Sequence, residues 1–165
     1  MKRRLLSLFC ALALCLGLLP ATALADNGTL TYQYYDTVSG QMTEGTYTGE
    51  YTTVTSSDTD WGTSGQTTWY VVSDTVANYE RSNITVSGTV NLILTSGKTL
   101  TLNGPNISLQ NSSAVLYIYG QAGNTGKLSI TPRYTSGDAG INLNGGTLNI
   151  HGGKVNATGY TNSAT

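Results

Sequence analysis

The chain contains little cysteine, little charge and a single histidine. Cys10 and Cys15 both lie near the N-terminus, so residues 26–165 have no thiol for a disulfide. Charged residues make up 10% of the chain, well below the roughly 25% of a typical soluble domain. The net charge of −1 lacks the basic surplus of nucleic-acid-binding proteins. We therefore expect no disulfide, no metal or other cofactor, and no nucleic-acid partner.

Residues 1–25 have the pattern of a secretory signal peptide. Residues 2–4 are basic, residues 5–19 form an apolar run, Pro20 ends it, and Ala23-Leu24-Ala25 is a small-x-small cleavage site. We predict cleavage after Ala25 and a secreted protein with no membrane association afterwards. A membrane anchor is disfavoured because the run is short for a span of about 20 residues. Cleavage leaves five Lys and Arg against nine Asp and Glu, a net charge of −4.

Residues 141–160 contain a repeat of seven residues. Each unit has an apolar residue, Asn, a second apolar residue, a polar residue and a glycine turn. Because residues i and i+2 share a face of a strand, the apolar pairs lie on one side, and Asn142, Asn149 and Asn156 lie on the other. Strands this short bury an apolar face only by stacking on copies of themselves. Three such sides give about 21 residues, one turn of a parallel β-helix.

Pairs of apolar residues two positions apart also predict the core of residues 69–165. The gaps between pairs widen at 120–126 and 132–138, which we expect to form loops outside the solenoid. The predicted fold class is all-β, a right-handed parallel β-helix. The chain ends one motif after its most regular repeat, so we expect further turns to follow it in a longer protein. The side chains predicted to face inward are Ile84, Val86, Val90, Leu92, Leu94, Leu100, Leu102, Ile107, Leu109, Leu116, Ile118, Leu128, Ile130, Ile141, Leu143, Leu148, Ile150, Val155 and Ala157.

Residues 26–68 form a Thr- and Tyr-rich region ahead of the repeats. Residues 29–35 and 45–54 read as two strands, and together they predict a β-hairpin. Its tyrosines at positions 32, 34, 47 and 51 allow two interpretations. In the first, they form a flat aromatic surface. In the second, which we favour, they pair across the strands and stabilise an exposed hairpin.

The loop that follows the hairpin carries two acids and a tryptophan. Asp58 and Asp60 are two residues apart, as in calcium loops, but the further ligands of such loops are missing at the required spacing. We therefore expect an Asp-stabilised turn rather than a calcium site. Trp61, Trp69 and Tyr70 precede the first regular turn, and their size suits them to capping its open apolar end.

Several motifs resemble the start of a group of secreted surface proteins from gut Firmicutes. The resemblance covers Trp69 to Thr158, roughly the C-terminal half of the chain. It implies a right-handed parallel β-helix, an adhesive or carbohydrate-binding role, and attachment to the cell wall through a C-terminal region that this chain does not contain. The motifs are Thr-Trp-Tyr-Val-Val at 68–72, Val-x-Gly-x-Val-x-Leu-Ile-Leu at 86–94, Ile-Tyr-Gly-Gln at 118–121, and Gly-Gly-Thr and Gly-Gly-Lys at 145–147 and 152–154.

The repeats are poor in catalytic groups. Between residues 83 and 165 the only acid is Asp138, whereas hydrolysis of a polysaccharide needs two carboxylates close together. His151 is a lone histidine without a recognisable triad partner, and we expect it at the surface. We therefore expect a protein without enzymatic activity. The alternatives are the start of a polysaccharide-degrading β-helix with catalytic turns downstream, and a structural stalk.

The outward residues of one predicted strand favour a sugar ligand. Tyr117 and Tyr119 alternate with inward residues, just before the loop at 120–126. Flat aromatic rings suit the apolar faces of sugars, and the amides of Gln121 and Asn124 suit their hydroxyl rims. We name these four residues as a candidate site for neutral glycans of a host or cell-wall surface. The alternative is an ordinary solvated sheet.

Overall fold

The computed structural model describes residues 25–79, 82–133 and 139–159. The predicted signal peptide, apart from Ala25, lies outside these residues. Every regular element in the described ranges is a β-strand, and the strands form a parallel β-solenoid of about four turns. The all-β solenoid predicted from the sequence is confirmed. Within the same ranges, no helix is long and apolar enough to cross a membrane.

Each turn of the solenoid contributes one strand to each of three sheets. All pairings within these sheets are parallel, apart from one antiparallel pair at the start of the first sheet. The first sheet contains β1 (Asp26–Asp36), β2 (Gln41–Thr53), β4 (Thr67–Val72), β7 (Thr89–Leu94), β10 (Val115–Tyr119) and β13 (Thr147–Ile150). The second contains β5 (Val76–Asn78), β8 (Thr99–Gly104), β11 (Lys127–Pro132) and β14 (Lys154–Ala157). The third contains β3 (Asp60–Trp61), β6 (Ile84–Val86), β9 (Ile107–Leu109) and β12 (Ile141–Asn142).

The composition of these strands explains why they form. Threonine, valine, isoleucine and tyrosine, which favour strands, dominate them, and glycine marks many of their corners. Charged side chains are few, so like-charge repulsion between neighbouring turns is limited, although Lys127 and Lys154 lie opposite each other.

Successive turns grow longer along the chain. Thr67, Thr89, Val115 and Thr147 occupy the same register position, and each interval between them is longer than the one before. Part of the added length lies at the corner between β10 and β11, where residues 120–126 form the loop expected from the sequence. The second expected loop, at 132–138, begins in β11, and its residues 134–138 lie outside the described residues.

The core is one continuous stack of aliphatic side chains. Leu100 is in register with Leu128, and Leu102 with Ile130, on adjacent strands of the second sheet. The thirteen inward residues predicted between Ile84 and Ile130 are all 0–1% exposed. Each buried side chain of this size stabilises the fold by roughly 1.5–3 kcal/mol.

The last described turn departs from the predicted burial. Ile141, Leu148 and Val155 pack against the core, as expected. Their partners in the repeat are exposed instead, with Leu143 at 41% and Ile150 at 51%, and Ala157 is exposed too. These residues form the last turn that the structure describes, so a neighbouring turn is described on only one of their sides.

Trp61 closes the opposite end of the core. It is fully buried, and in register it lies opposite the inward residue Val86. Its indole Nε1 donates to the Asp58 carboxylate at 3.0 Å, and its ring lies 5.8 Å from that of Tyr70. The Tyr70 hydroxyl accepts from the Gly62 N–H at 3.0 Å. The predicted capping role is confirmed for Trp61 and Tyr70.

The acids of this region hold the local turn. Asp58 accepts from the Thr55 N–H at 3.3 Å and from the Thr55 hydroxyl, in addition to the indole. Asp60 accepts from the Thr59 hydroxyl at 2.8 Å. Trp69 does not share the capping role, because it has the opposite strand parity to Tyr70 and points to the outer face of the first sheet.

The predicted hairpin forms, and it does not stand free. β1 and β2 pair along the whole of β1, from Asp26 opposite Tyr51 to Asp36 opposite Gln41. The last two residues of β2 then pair in parallel with β4, so the parallel stack begins at Thr52. The part of the hairpin around Tyr32 and Tyr47 packs on the outer face of β4 and β10. There the Gln33 N–H donates to the carbonyl of Gly120 at 2.9 Å.

Candidate functional site

The outer face of the first sheet carries two neighbouring columns of side chains. Trp69, Asn91, Tyr117 and Asn149 are in register on successive strands and form the first column. The second column contains Val71, Ile93 and Tyr119, and His151 extends it because it follows Ile150, the partner of Ile118. Strand alternation alone places these side chains outward, since their neighbours in each strand fill the core.

Four of these residues form a continuous aromatic row, consisting of Trp69, Tyr119, Tyr117 and His151. The centroids of Tyr119 and His151 are 5.3 Å apart, with planes at 11°. Tyr117 lies 5.8 Å from His151 and 6.1 Å from Tyr119, at 20° and 14°. Trp69 lies 6.0 Å from Tyr119, at 18°. Tyr117 and Tyr119 lie on the same strand, and His151 follows the neighbouring strand β13, at a strand separation of about 4.8 Å. The nearly parallel planes let adjacent rings overlap in part.

The hairpin covers one end of the aromatic row. Tyr32 packs on Tyr119 at 4.7 Å and on Trp69 at 5.2 Å, and Tyr47 stacks on Trp69 at 4.3 Å with planes at 15°. Ile93 points outward yet has no exposed surface, as expected for a residue beneath a second layer. All four rings of the row are half-buried. The hairpin rings contact Trp69 and Tyr119, at the end of the row away from His151.

Burial alters the chemistry of one tyrosine in the row. It raises the pKa of Tyr119 to about 12, and the neighbouring Tyr32 and Tyr117 hydroxyls add to the shift. A phenolate here would lose solvation by water without gaining a cation. Tyr119 consequently keeps its proton over the whole physiological range and can donate a hydrogen bond.

The two predicted amides lie beside the row, and both hold the local structure together. The Gln121 Nε2 donates to the carbonyl of Thr31 in the hairpin at 3.0 Å, and its Oε1 accepts from the Ser96 N–H at 3.3 Å. The Asn124 Oδ1 accepts from the N–H of Gly153, two residues after His151. Each amide nitrogen carries a further hydrogen for a ligand. The four residues named from the sequence therefore lie in one area, with the ring of Tyr119 partly covered.

Sequence reasoning placed His151 at the surface and missed its stacking. Its outward parity was visible in the repeat, but contact with Tyr119 depends on the long turn from Val115 to Thr147, which no regular period predicts. The cover by Tyr32 also had no periodic signal. Asn142, Asn149 and Asn156 lie on three different sheets and therefore do not form one ladder.

Comparison with known proteins adds no assignment, since no protein-family model, curated protein or solved structure matches this chain. Among the described residues, no three His, Cys, Asp or Glu side chains come together as a metal site would require. The side chains of the candidate site supply aromatic rings, amides and hydroxyls.

Proposed function

We propose that this chain is a secreted protein that binds neutral glycans at a cell or cell-wall surface, without catalysing a reaction. The proposed site consists of Tyr117, Tyr119 and His151, with Gln121 and Asn124 at its rim. The observation that supports it best is the set of three nearly parallel rings, 5.3–6.1 Å apart, in which Tyr32 partly covers Tyr119. Rings that overlap only in part keep apolar surface on which a sugar ring can stack.

The charge near the row favours neutral sugars. Lys127 and Lys154 are paired in register on the second sheet, on a different side of the solenoid. Lys98 makes an ion pair with Asp74 at 3.4 Å. Uronates and sulfated sugars call for arginine or calcium at the binding site, and the row itself contains only aromatic side chains.

The sequence supports binding rather than catalysis. Residues 83–165 contain one carboxylate, Asp138, which lies outside the described residues. The five residues of the proposed site include no acid, so they cannot supply the two carboxylates of a glycosidase. Release of reducing ends from a neutral glucan panel by the purified chain would contradict this part of the proposal.

Secretion rests on the signal-like pattern of residues 1–25. Protein recovered from the culture medium is expected to begin at Asp26 by mass spectrometry. An intact Met1 in the medium would contradict cleavage at this position.

A single short site predicts weak binding. Each stacked sugar contributes on the order of 1 kcal/mol beyond the buried area, so we expect dissociation constants of roughly millimolar order. Attachment to a surface would then depend on many copies acting together.

A glycan array with the chain displayed on beads tests the proposed site, because beads provide the required multivalency. The wild-type chain is expected to retain neutral glycans, and the double variant Tyr117→Ala/His151→Ala is expected to lose them. Tyr35→Ala is the matched control, since Tyr35 lies half-exposed on the hairpin, away from the rings of the row. Equal retention by all three proteins, or retention by none, would reject the site.

A further inference from the structure

A cleft of about 260 Å³ opens between the second half of β2 and the start of β4. We propose that it is a second saccharide site, built for one neutral pyranose ring. It is lined by three aromatic residues and by polar side chains, chiefly Tyr47, Tyr51, Trp69, Thr52, Gln66 and Thr67. The proposal shares the ligand class of the proposed function but none of its residues, so either can fail alone.

The aromatic walls of the cleft are held in place before any ligand binds. Tyr47 stacks on Trp69 at 4.3 Å, and its hydroxyl donates to the carbonyl of Glu50 at 3.0 Å. Tyr51 packs over Gly28, where an added Cβ would lie 3.4 Å from the tyrosine ring. Walls fixed by their own packing lose little conformational entropy on binding, which favours the binding of a small ligand.

The polar lining suits the hydroxyl rim of a sugar. Gln66 offers an amide, and Thr67 offers a hydroxyl at the start of β4. Such groups both donate to and accept from sugar hydroxyls. Glu50 is the one charged residue among the lining residues, and it is acidic. A uronate or sulfate would therefore meet a like charge in the cleft, which favours a neutral ring.

The volume of the cleft limits the size of its ligand. Sites for drug-sized ligands enclose roughly 300–1,000 Å³, and this cleft is just smaller. It therefore has room for a single ring. Ala25 also borders the cleft, so the proposed cleavage after Ala25 would remove that residue and widen the opening.

Tryptophan fluorescence can report on this cleft. The chain has two tryptophans, of which Trp61 is fully buried in the core and Trp69 lines the cleft. Titrating the chain that begins at Asp26 with methyl glycosides of neutral hexoses is expected to change the emission with a midpoint of roughly 1–10 mM for at least one sugar. Methyl glucuronide, which carries a carboxylate, is expected to bind at least tenfold more weakly than the neutral sugar.

The variant Thr67→Arg, which fills the cleft, is expected to weaken this response at least tenfold. Thr147→Arg is the matched control, because Thr147 occupies the same column of the same sheet at its other end and is likewise exposed. Tyr117→Ala/His151→Ala is expected to keep the response, which separates the cleft from the proposed site at Tyr117, Tyr119 and His151. A lack of saturation with every neutral hexose, equal weakening by both arginine variants, or equal binding of the glucuronide would overturn the proposal.

Discussion

At the scale of single residues, strand parity decides what each aromatic side chain does. Trp69 and Tyr70 are adjacent in β4, yet Tyr70 packs on Trp61 at the end of the core and Trp69 stacks under the hairpin. A shift of one residue in register would exchange these two roles. The same alternation puts Tyr117 and Tyr119 outside the solenoid and Leu116 inside it.

The first prediction compares two leucines in the core. Leu102 has no exposed surface, whereas Leu148 is only partly buried on the last described turn. Leu102→Ala is therefore expected to lower the free energy of unfolding by about 2–5 kcal/mol, and Leu148→Ala by about 1 kcal/mol, since less apolar area is lost. Urea denaturation followed by circular dichroism measures both free energies of unfolding. Equal losses would contradict the expected difference between a fully buried and a partly buried leucine.

The second prediction concerns the pH at which Tyr119 ionises. Its pKa in the folded chain is about 12, above the ordinary value of 10.0. Folding therefore favours the protonated hydroxyl, and this contribution is complete below about pH 10 and lost as the pH rises towards 12. Absorbance at the phenolate band, compared between wild type and Tyr119→Phe, isolates the transition. A difference curve centred near pH 10 would contradict burial beneath Tyr32.

At the scale of elements, the hairpin fits the solenoid through tyrosines that lie over glycines. Tyr32 on β1 lies opposite Gly45 on β2, and an added Cβ at Gly45 would come within 2.5–2.8 Å of the Tyr32 ring. The missing side chain thus leaves room for the Tyr32 ring, which contacts Trp69 and Tyr119 at tilts of 45° and 54°. Glycine weakens an isolated strand, so its presence here serves the packing of the ring.

The third prediction exploits that fit. Gly45→Ala is expected to displace the Tyr32 ring and loosen the hairpin from the aromatic row. Hydrogen exchange of the Gln33 amide, which is bonded to Gly120, should become at least tenfold faster. Gly28→Ala is the control, because its added Cβ would make only an ordinary contact with Tyr51 at 3.4 Å. Unchanged exchange in Gly45→Ala would mean that Tyr32 does not hold the hairpin down.

At the scale of the whole molecule, the sequence predicts the repeating part of the fold and misses the contacts between its parts. A spacing of two identified the core residues of the repeats from Ile84 to Ile130, because alternation is a local property of strands. The predicted burial of Leu143 and Ile150 was wrong, since burial on the last described turn depends on a neighbouring turn. The fold-back of the hairpin was missed because it joins residues as far apart as Thr31 and Gln121, and no periodicity links them.

The candidate site shows the same difference between local patterns, which the sequence predicts, and long-range contacts, which it does not. Tyr117 and Tyr119 were found because both their residue types and their parity are visible in one strand. His151 was not assigned to the site, because its contact with Tyr119 forms across an irregular turn. The lengths of the loops between strands decide which residues become neighbours. A contact of this kind can be predicted only when the register of the strands is known.

The most direct test of glycan binding by the aromatic row is the nuclear magnetic resonance signal of His151. It is the only histidine in the chain, so its ring protons give one pair of resonances that need no further assignment. Titration with a neutral oligosaccharide retained on the array is expected to shift both resonances with a single saturating curve of roughly millimolar midpoint. In Tyr117→Ala the same titration should leave them almost unmoved. His151 signals that stay fixed while the wild-type chain demonstrably binds the oligosaccharide would contradict the proposed site.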